Sequence, residues 1–159
     1  MQQQKHQLRH VSAIKNGYVI DHIPTGQGLR ILALLNLAIY PKVITVGLNL
    51  PSKRIGKKDI IKLEDRSISN EEESRIALLA PGATMARIRN YAVIKKKTLE
   101  IPSEITGLLR CPNRNCITNY EAIDTLFHVY RAGTQLRMHC TYCERVFHQQ
   151  DMTDLSQLA

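Results

Sequence analysis

Four cysteines stand as two short knuckles, Cys111-Pro-Asn-Arg-Asn-Cys116 and Cys140-Thr-Tyr-Cys143, separated by the stretch 117 to 139. The chain has no other cysteine, so none is left over. Zinc takes four thiolates in a tetrahedron, and a C-x4-C…C-x2-C pattern folded back by a hairpin supplies that geometry. The competing use is two disulfides, which need an oxidising compartment. The opening Met1-Gln-Gln-Gln-Lys-His6 has no apolar h-region, so export is not expected and metal is the reading. Four thiolates close the coordination shell to water and substrate, which makes such an ion structural. Its binding, ~10–16 kcal/mol for structural zinc, is also folding energy for a small module. The thiolates exceed a divalent charge by two, and Arg110, Arg114, Arg137, His139 and Arg145 flank them and are expected to offset the excess. His128, His139 and His148 are spare nitrogen donors beside a shell already complete.

The basic residues offer a second chemistry. Residues 1–101 hold 17 of the 22 Lys/Arg and 8 of the 14 Asp/Glu, a balance of +9, while the remainder balances at −1 before thiolates are counted. An anionic partner is therefore expected at the first segment and not at the zinc module. A nucleic-acid-binding zinc ribbon would more often show the reverse, and with no Trp and two Phe the chain is poor in stacking aromatics. An enzyme is equally disfavoured, because no Ser/His/Asp order, Gly-rich phosphate loop or open metal site is present. No apolar run approaches the ~20 residues of a membrane span, and cysteines arranged for metal suit a reducing cytoplasm.

The elements that must position these groups fall into two parts. Pro102, after Lys95-Lys96-Lys97 and Leu99-Glu-Ile, marks a linker or hinge over 99–103, which predicts domains at 1–101 and 102–159. In the first, Val11 to Ile23 reads as a strand–turn–strand or a bulged strand around Asn16-Gly17, Gly28 to Leu37 as a buried helix, and Val43 to Leu48 and Lys57 to Glu64 as strands. On the latter, Asp59, Ile61 and Leu63 share one face and Lys58, Ile60 and Lys62 the other. Ser69-Asn-Glu-Glu72 is a capping box opening a helix that Pro81-Gly82 ends. Thr84 to Lys96 returns as one extended run, with Met85 and Tyr91 partly in the core. The order predicts an α+β fold: a βαββαβ-like sheet with two helices on one face, followed by a small all-β zinc-binding domain. In that domain Ala122–Tyr130 and Thr134–His139 read as strands joined around Arg131-Ala-Gly133, and Asp151–Ala159 as a frayed tail.

These residues resemble the regulatory chain of aspartate carbamoyltransferase over about 8 to 149. The specific pieces are Val19-Ile-Asp-His-Ile-Pro24, Thr45-Val-Gly-Leu-Asn-Leu-Pro51-Ser52, Gly56-Lys-Lys-Asp-Ile-Ile-Lys62, Ala80-Pro81 with Thr84, Asn90-Tyr91, and Cys111-Pro-Asn-Arg-Asn-Cys116. The resemblance implies a non-catalytic allosteric subunit of pyrimidine biosynthesis, one structural Zn(2+) per chain, a regulatory homodimer, and a zinc domain that holds catalytic trimers. It implies that CTP, UTP and ATP bind the first domain, with no nucleic-acid or membrane partner. Carried over, the nucleotide site comprises Val11, Ala13, Ile14, Asp21, His22, Lys62, Tyr91, Val93 and Lys96. The lysines would meet phosphates, Asp21 the ribose hydroxyls, and backbone near Val11–Ile14 and Tyr91 the base edge. Asn113, Asn115 and Glu144 are the expected contacts to the catalytic chain. Two departures bear on effector preference: Leu8 stands where the family can place a lysine, with Lys5 or Arg9 nearby, and Ala86 stands for an asparagine. On their own, Asp21-His22 reads as a surface pair, Lys62 as a solvated strand face, and Lys95–Lys97 as a solvated linker.

Overall fold

The computed structural model describes residues 11–152 as two antiparallel sheets and two α-helices, the α+β arrangement expected. The first part runs β1 (Gly17–Pro24), α1 (Gly28–Leu34), β2 (Ile44–Ser52), β3 (Gly56–Glu64), α2 (Asn70–Leu79), β4 (Thr84–Arg89) and β5 (Ala92–Thr98). Its sheet has the order β2-β3-β1-β4-β5. Ile31 and Leu34 of α1 and Ile76 and Leu79 of α2 bury against Ile20, Ile61, Leu63 and Met85 of the sheet. The other sheet face carries a small separate cluster, Ile14, Ala86 and Ile88 with Val19 packed on it.

The sheet has one strand more than expected. The run 84–96 is broken at Asn90 and Tyr91, whose φ of 50° and 62° reverse the chain into a β4–β5 hairpin. The turn is tied down from a distance: Tyr91 N–H donates to Lys15 O (2.9 Å) and Asn90 N–H to Asn16 Oδ1 (3.1 Å). Tyr91 is accordingly 67% exposed and outside the core, whereas Met85 is buried. Asn16-Gly17 does not reverse the chain, and of the two forms expected for this run the bulged strand is the one observed, with the register shift between Ile20 and Ile23. Gly17 opens β1 at φ 133°, where a Cβ would stand 1.9 Å from Leu63 O. The first helix also stops earlier than its apolar run, at Leu34, because Asn36 adopts the left-handed region (φ 50°) before a 3₁₀ turn over Leu37–Ile39.

Two polar devices hold this part. Asp59, on the buried face of β3 as the alternation predicts, is 1% exposed and accepts three backbone N–H bonds. Gly26 and Gly28 donate to Oδ2 at 3.1 Å each, and Asn49 donates to Oδ1 at 3.0 Å. The start of α1 is thus joined to β2 through one carboxylate. At α2 the capping box forms as expected: Glu72 N–H donates to Ser69 Oγ (3.1 Å) and Ser69 N–H to Glu72 Oε2 (3.0 Å).

The second part is the four-stranded sheet β6 (Glu104–Thr106), β7 (Leu126–Ala132), β8 (Gln135–Cys140) and β9 (Val146–His148), in that order. Its core is continuous with the first. Leu78, Leu79 and Leu99 lie in one buried cluster with Ile105, Leu109, Phe127, Met138 and Met152. The expected hinge is therefore pinned at its start. Leu99 is buried, donates its N–H to Ala83 O (2.7 Å) and accepts from Gly82 N–H (3.0 Å). The tail does not fray at Asp151 either: Gln149–Met152 is a 3₁₀ turn, His148 N–H donates to Asp151 Oδ2 (2.8 Å), and Met152 is 6% exposed. Gln149 Nε2 donates across the junction to Leu78 O (2.9 Å), beside a cavity of about 450 Å³ between α2 and the second sheet.

Candidate functional site

The two knuckles converge. Cys111 Sγ lies 3.7 Å from Cys143 Sγ and Cys116 Sγ 3.9 Å from Cys140 Sγ, and all four sulfurs fall within 4.8 Å of one another. A zinc–sulfur distance of ~2.3 Å gives a tetrahedron with edges of about 3.8 Å, so the donor set fits zinc in both chemistry and spacing. β8 delivers Cys140, and a tight turn with Glu144 at φ 57° returns Cys143: Glu144 N–H donates to Cys140 O and Cys140 N–H to Arg145 O, both at 2.9 Å. The first knuckle is organised by asparagines. Asn113 Oδ1 accepts from Asn115 N–H (3.2 Å), and Asn119 Nδ2 donates to Cys111 O (3.1 Å) and Asn113 O (2.8 Å).

Three of the cysteines are buried and Cys143 is half-buried. Burial pushes the Cys111 and Cys140 thiols up. At Cys116 burial acts in the same direction, but hydrogen bonds from the Thr118 hydroxyl (3.2 Å) and Thr118 N–H outweigh it and bring the thiol down to about 7. Two of the flanking arginines hydrogen-bond to other side chains. Arg110 Nε donates to Asn119 Oδ1 (3.0 Å), and Arg137 is turned to Gln135 Oε1 (3.0 Å) and His148 Nε2. From outside the four cysteines, the Asn113 N–H reaches the Cys111 sulfur, the Tyr142 N–H that of Cys140, and Thr118 that of Cys116.

The expected nucleotide residues gather on the sheet face away from the helices. Lys62 pairs with Val19, Val19 with Ala86 and Ala86 with Lys96, so these four form one cross-strand row through β3, β1, β4 and β5. Three strand spacings put the two lysine backbones about 14 Å apart, with the apolar cluster of Ile14, Val19, Ala86 and Ile88 between them. Val11 to Ile14 crosses this face as a strap. Lys62 Nζ donates to Val11 O (3.3 Å) and to Ser12 O, and Val11 lies against Gly47. Ala13 is exposed on the strap.

A bulge in β1 between Ile20 and Ile23, with His22 at φ 57°, aims the next pair. Asp21 is gripped by Lys58 Nζ, 2.7 Å from Oδ1 and 2.9 Å from Oδ2, and its Oδ1 accepts His22 N–H at 2.6 Å. Burial raises the Asp21 carboxyl, yet these bonds outweigh it and hold the group below its ordinary value. Burial also lowers His22, the Asp21 charge opposing and Lys58, Arg54 and Lys96 reinforcing it; His22 Nδ1 meets Thr84 Oγ1 at 3.2 Å. Tyr91, Val93 and Lys96 are exposed along the β4–β5 hairpin. Lys58, Thr84 and Ile88 were not among the expected site residues. The alternation that set Lys58 beside Lys62 was the available signal for the first. Leu8, Lys5 and Arg9 lie outside the described residues.

Residues 9–100 match the allosteric domain of the aspartate carbamoyltransferase regulatory chain, and residues 103–153 match the metal binding domain of the same chain. A chain named aspartate carbamoyltransferase regulatory chain from Aliivibrio salmonicida is 46% identical over 151 residues, covering 95% of this chain and 97% of that one. One of the same name from Aeromonas salmonicida is 47% identical over 146 residues (92% and 94%), and one from Pyrococcus horikoshii 46% identical over 144 residues (89% and 94%).

Proposed function

The chain belongs to the family of aspartate carbamoyltransferase regulatory chains, and on that premise we propose that its outer sheet face binds CTP, UTP and ATP. It is a non-catalytic regulatory chain of pyrimidine biosynthesis whose partner is the catalytic chain, with four cysteines suited to one structural zinc. The proposed division is 1–101 for the effector and 102–159 for the catalytic chain, with a homodimer formed through the first domain.

The observation that carries the reading is the row Lys62–Val19–Ala86–Lys96, cations at both ends of an apolar patch under a fixed backbone strap. A base packs against the half-buried Val19 and the exposed Val93, over the buried Ile14 and Ile88, and is read by strap backbone. A ribose meets Asp21, whose remaining lone pairs accept hydroxyls while Lys58 keeps it ionised. Phosphates meet the ammonium groups of Lys96 and Lys62 at the ends of the row. Asn115 and Glu144, exposed beside the knuckles, are the proposed contacts to the catalytic chain. Asn113 sits with them but also builds its own loop, so a truncation there reports on both roles.

Calorimetry of the full chain with each nucleotide tests the site. Lys96→Ala removes an exposed cation that builds no part of the strap, and loss of a charge-assisted bond, ~1.5–3 kcal/mol, lowers affinity about 10- to 100-fold. Unchanged affinity for all three nucleotides places the site elsewhere.

A further inference from the structure

The zinc module carries a second set of metal-ligating side chains, distinct from its thiolates. Glu104 on β6 pairs with His128 on β7, and His128 pairs with His139 on β8, so the three form one cross-strand row. Their neighbours Ile105, Phe127, Met138 and Cys140 are buried, and strand alternation turns the row to the opposite face. Glu104 and His128 are exposed and His139 half-buried. The two imidazoles stack 19° from parallel with centroids 6.3 Å apart, and Glu104 Oε1 stands 3.3 Å from His128 Nδ1. Neither the thiolate shell, which is complete, nor the nucleotide face uses these groups.

We propose that His128 and His139 form a site for a divalent transition-metal ion, with Glu104 orienting His128. A carboxylate beside Nδ1 favours the tautomer with the proton on Nδ1 and leaves the Nε2 lone pair for a metal, the arrangement typical of metal-bound histidine. Facing cross-strand residues have Cβ atoms ~4.5–5.5 Å apart, within reach of two imidazoles closing on one ion at ~2.0–2.1 Å. The rings must approach from their present separation, which rotation about their side-chain torsions supplies at an open surface. Two imidazole donors suit zinc, copper or nickel and leave the remaining positions to water, so binding is weaker and more exchangeable than at four thiolates. His148 does not complete the site: its Nε2 is engaged by Arg137, and its strand neighbour opposite His139 is Val146.

Nickel is the probe, titrated calorimetrically into the zinc-loaded full chain while released zinc is followed with a chromophoric chelator. One Ni(2+) should bind per chain without zinc release. His128→Ala and His139→Ala should each weaken binding at least tenfold, Glu104→Gln by about tenfold, and His148→Ala should leave it unchanged. Wild-type affinity in His128→Ala overturns the proposal, as does nickel uptake matched by zinc release. His139 adjoins Cys140, so if His139→Ala loses its zinc, the decision rests on His128→Gln at its exposed position: lost nickel binding with retained zinc supports the site, and retained nickel binding refutes it.

Discussion

Replacing Asp59 with Asn tests how much of the first domain hangs on one carboxylate. Asp59 accepts three backbone N–H bonds, one buried and two part-buried, with two at Oδ2 and one at Oδ1. Asparagine has a single acceptor oxygen. Turned toward Gly26 and Gly28, it keeps two bonds, now without charge assistance, and its NH₂ confronts the Asn49 N–H. Leaving the part-buried Asn49 donor unmet costs toward the low end of ~1–3 kcal/mol, and losing charge assistance costs about 1 kcal/mol at each remaining bond. Burying a neutral amide in place of a carboxylate returns part of this, leaving a net loss of about 2–4 kcal/mol. Urea unfolding of the zinc-loaded chain, at fixed protein concentration, measures it. With m near ~2 kcal/mol/M the midpoint falls by about 1–2 M at unchanged m. A loss under ~0.5 kcal/mol would show that the three amides find other partners and that the carboxylate is not what joins α1 to β2.

Three other outcomes follow from the structure. Cys140→Ser should abolish stoichiometric zinc by metal analysis, and because the core is shared the melting temperature of the first domain should fall as well; one zinc per chain retained in the variant refutes the assignment. Gly17→Ala should cost at least ~2 kcal/mol in unfolding free energy, from a strained φ and a Cβ driven onto Leu63 O. The folded pKa of Asp21 is held below its ordinary 3.8, so its pairing with Lys58 contributes fully above that value and is lost as pH falls through the folded pKa. Lys58→Met should therefore be less stable than the parent at neutral pH, with the gap closing in acid; a gap constant well below the carboxylate range contradicts this.

The cysteine spacing revealed the metal site because ligand geometry is local within each knuckle. The capping box at Ser69–Glu72 was legible for the same reason. The β4–β5 turn was not, because Asn90-Tyr91 lacks the glycine that marks a tight hairpin and is held by Lys15 and Asn16, some 75 positions away. Asn16-Gly17 allowed a turn as readily as a bulged strand: its positive φ serves a close approach to β3 and not a reversal. The alternation of β3 placed Asp59 inside but could not name its partners, which are amides with no side-chain signature. The row from Lys62 to Lys96 needed the strand order and register, and only the pairing of four strands supplies those.

The shared core has a consequence for how the chain is made. Synthesis delivers Leu78, Leu79 and Leu99 well before Phe127, Met138 and Met152, the residues that cover them. Until Cys140 and Cys143 emerge and acquire metal, the nascent first domain presents an apolar flank to the cell, and such surfaces recruit chaperones or aggregate. Zinc supply thereby sets the moment at which that flank closes. In a metal-starved cell the yield of usable chain should fall at this step, before any effector or catalytic partner is encountered.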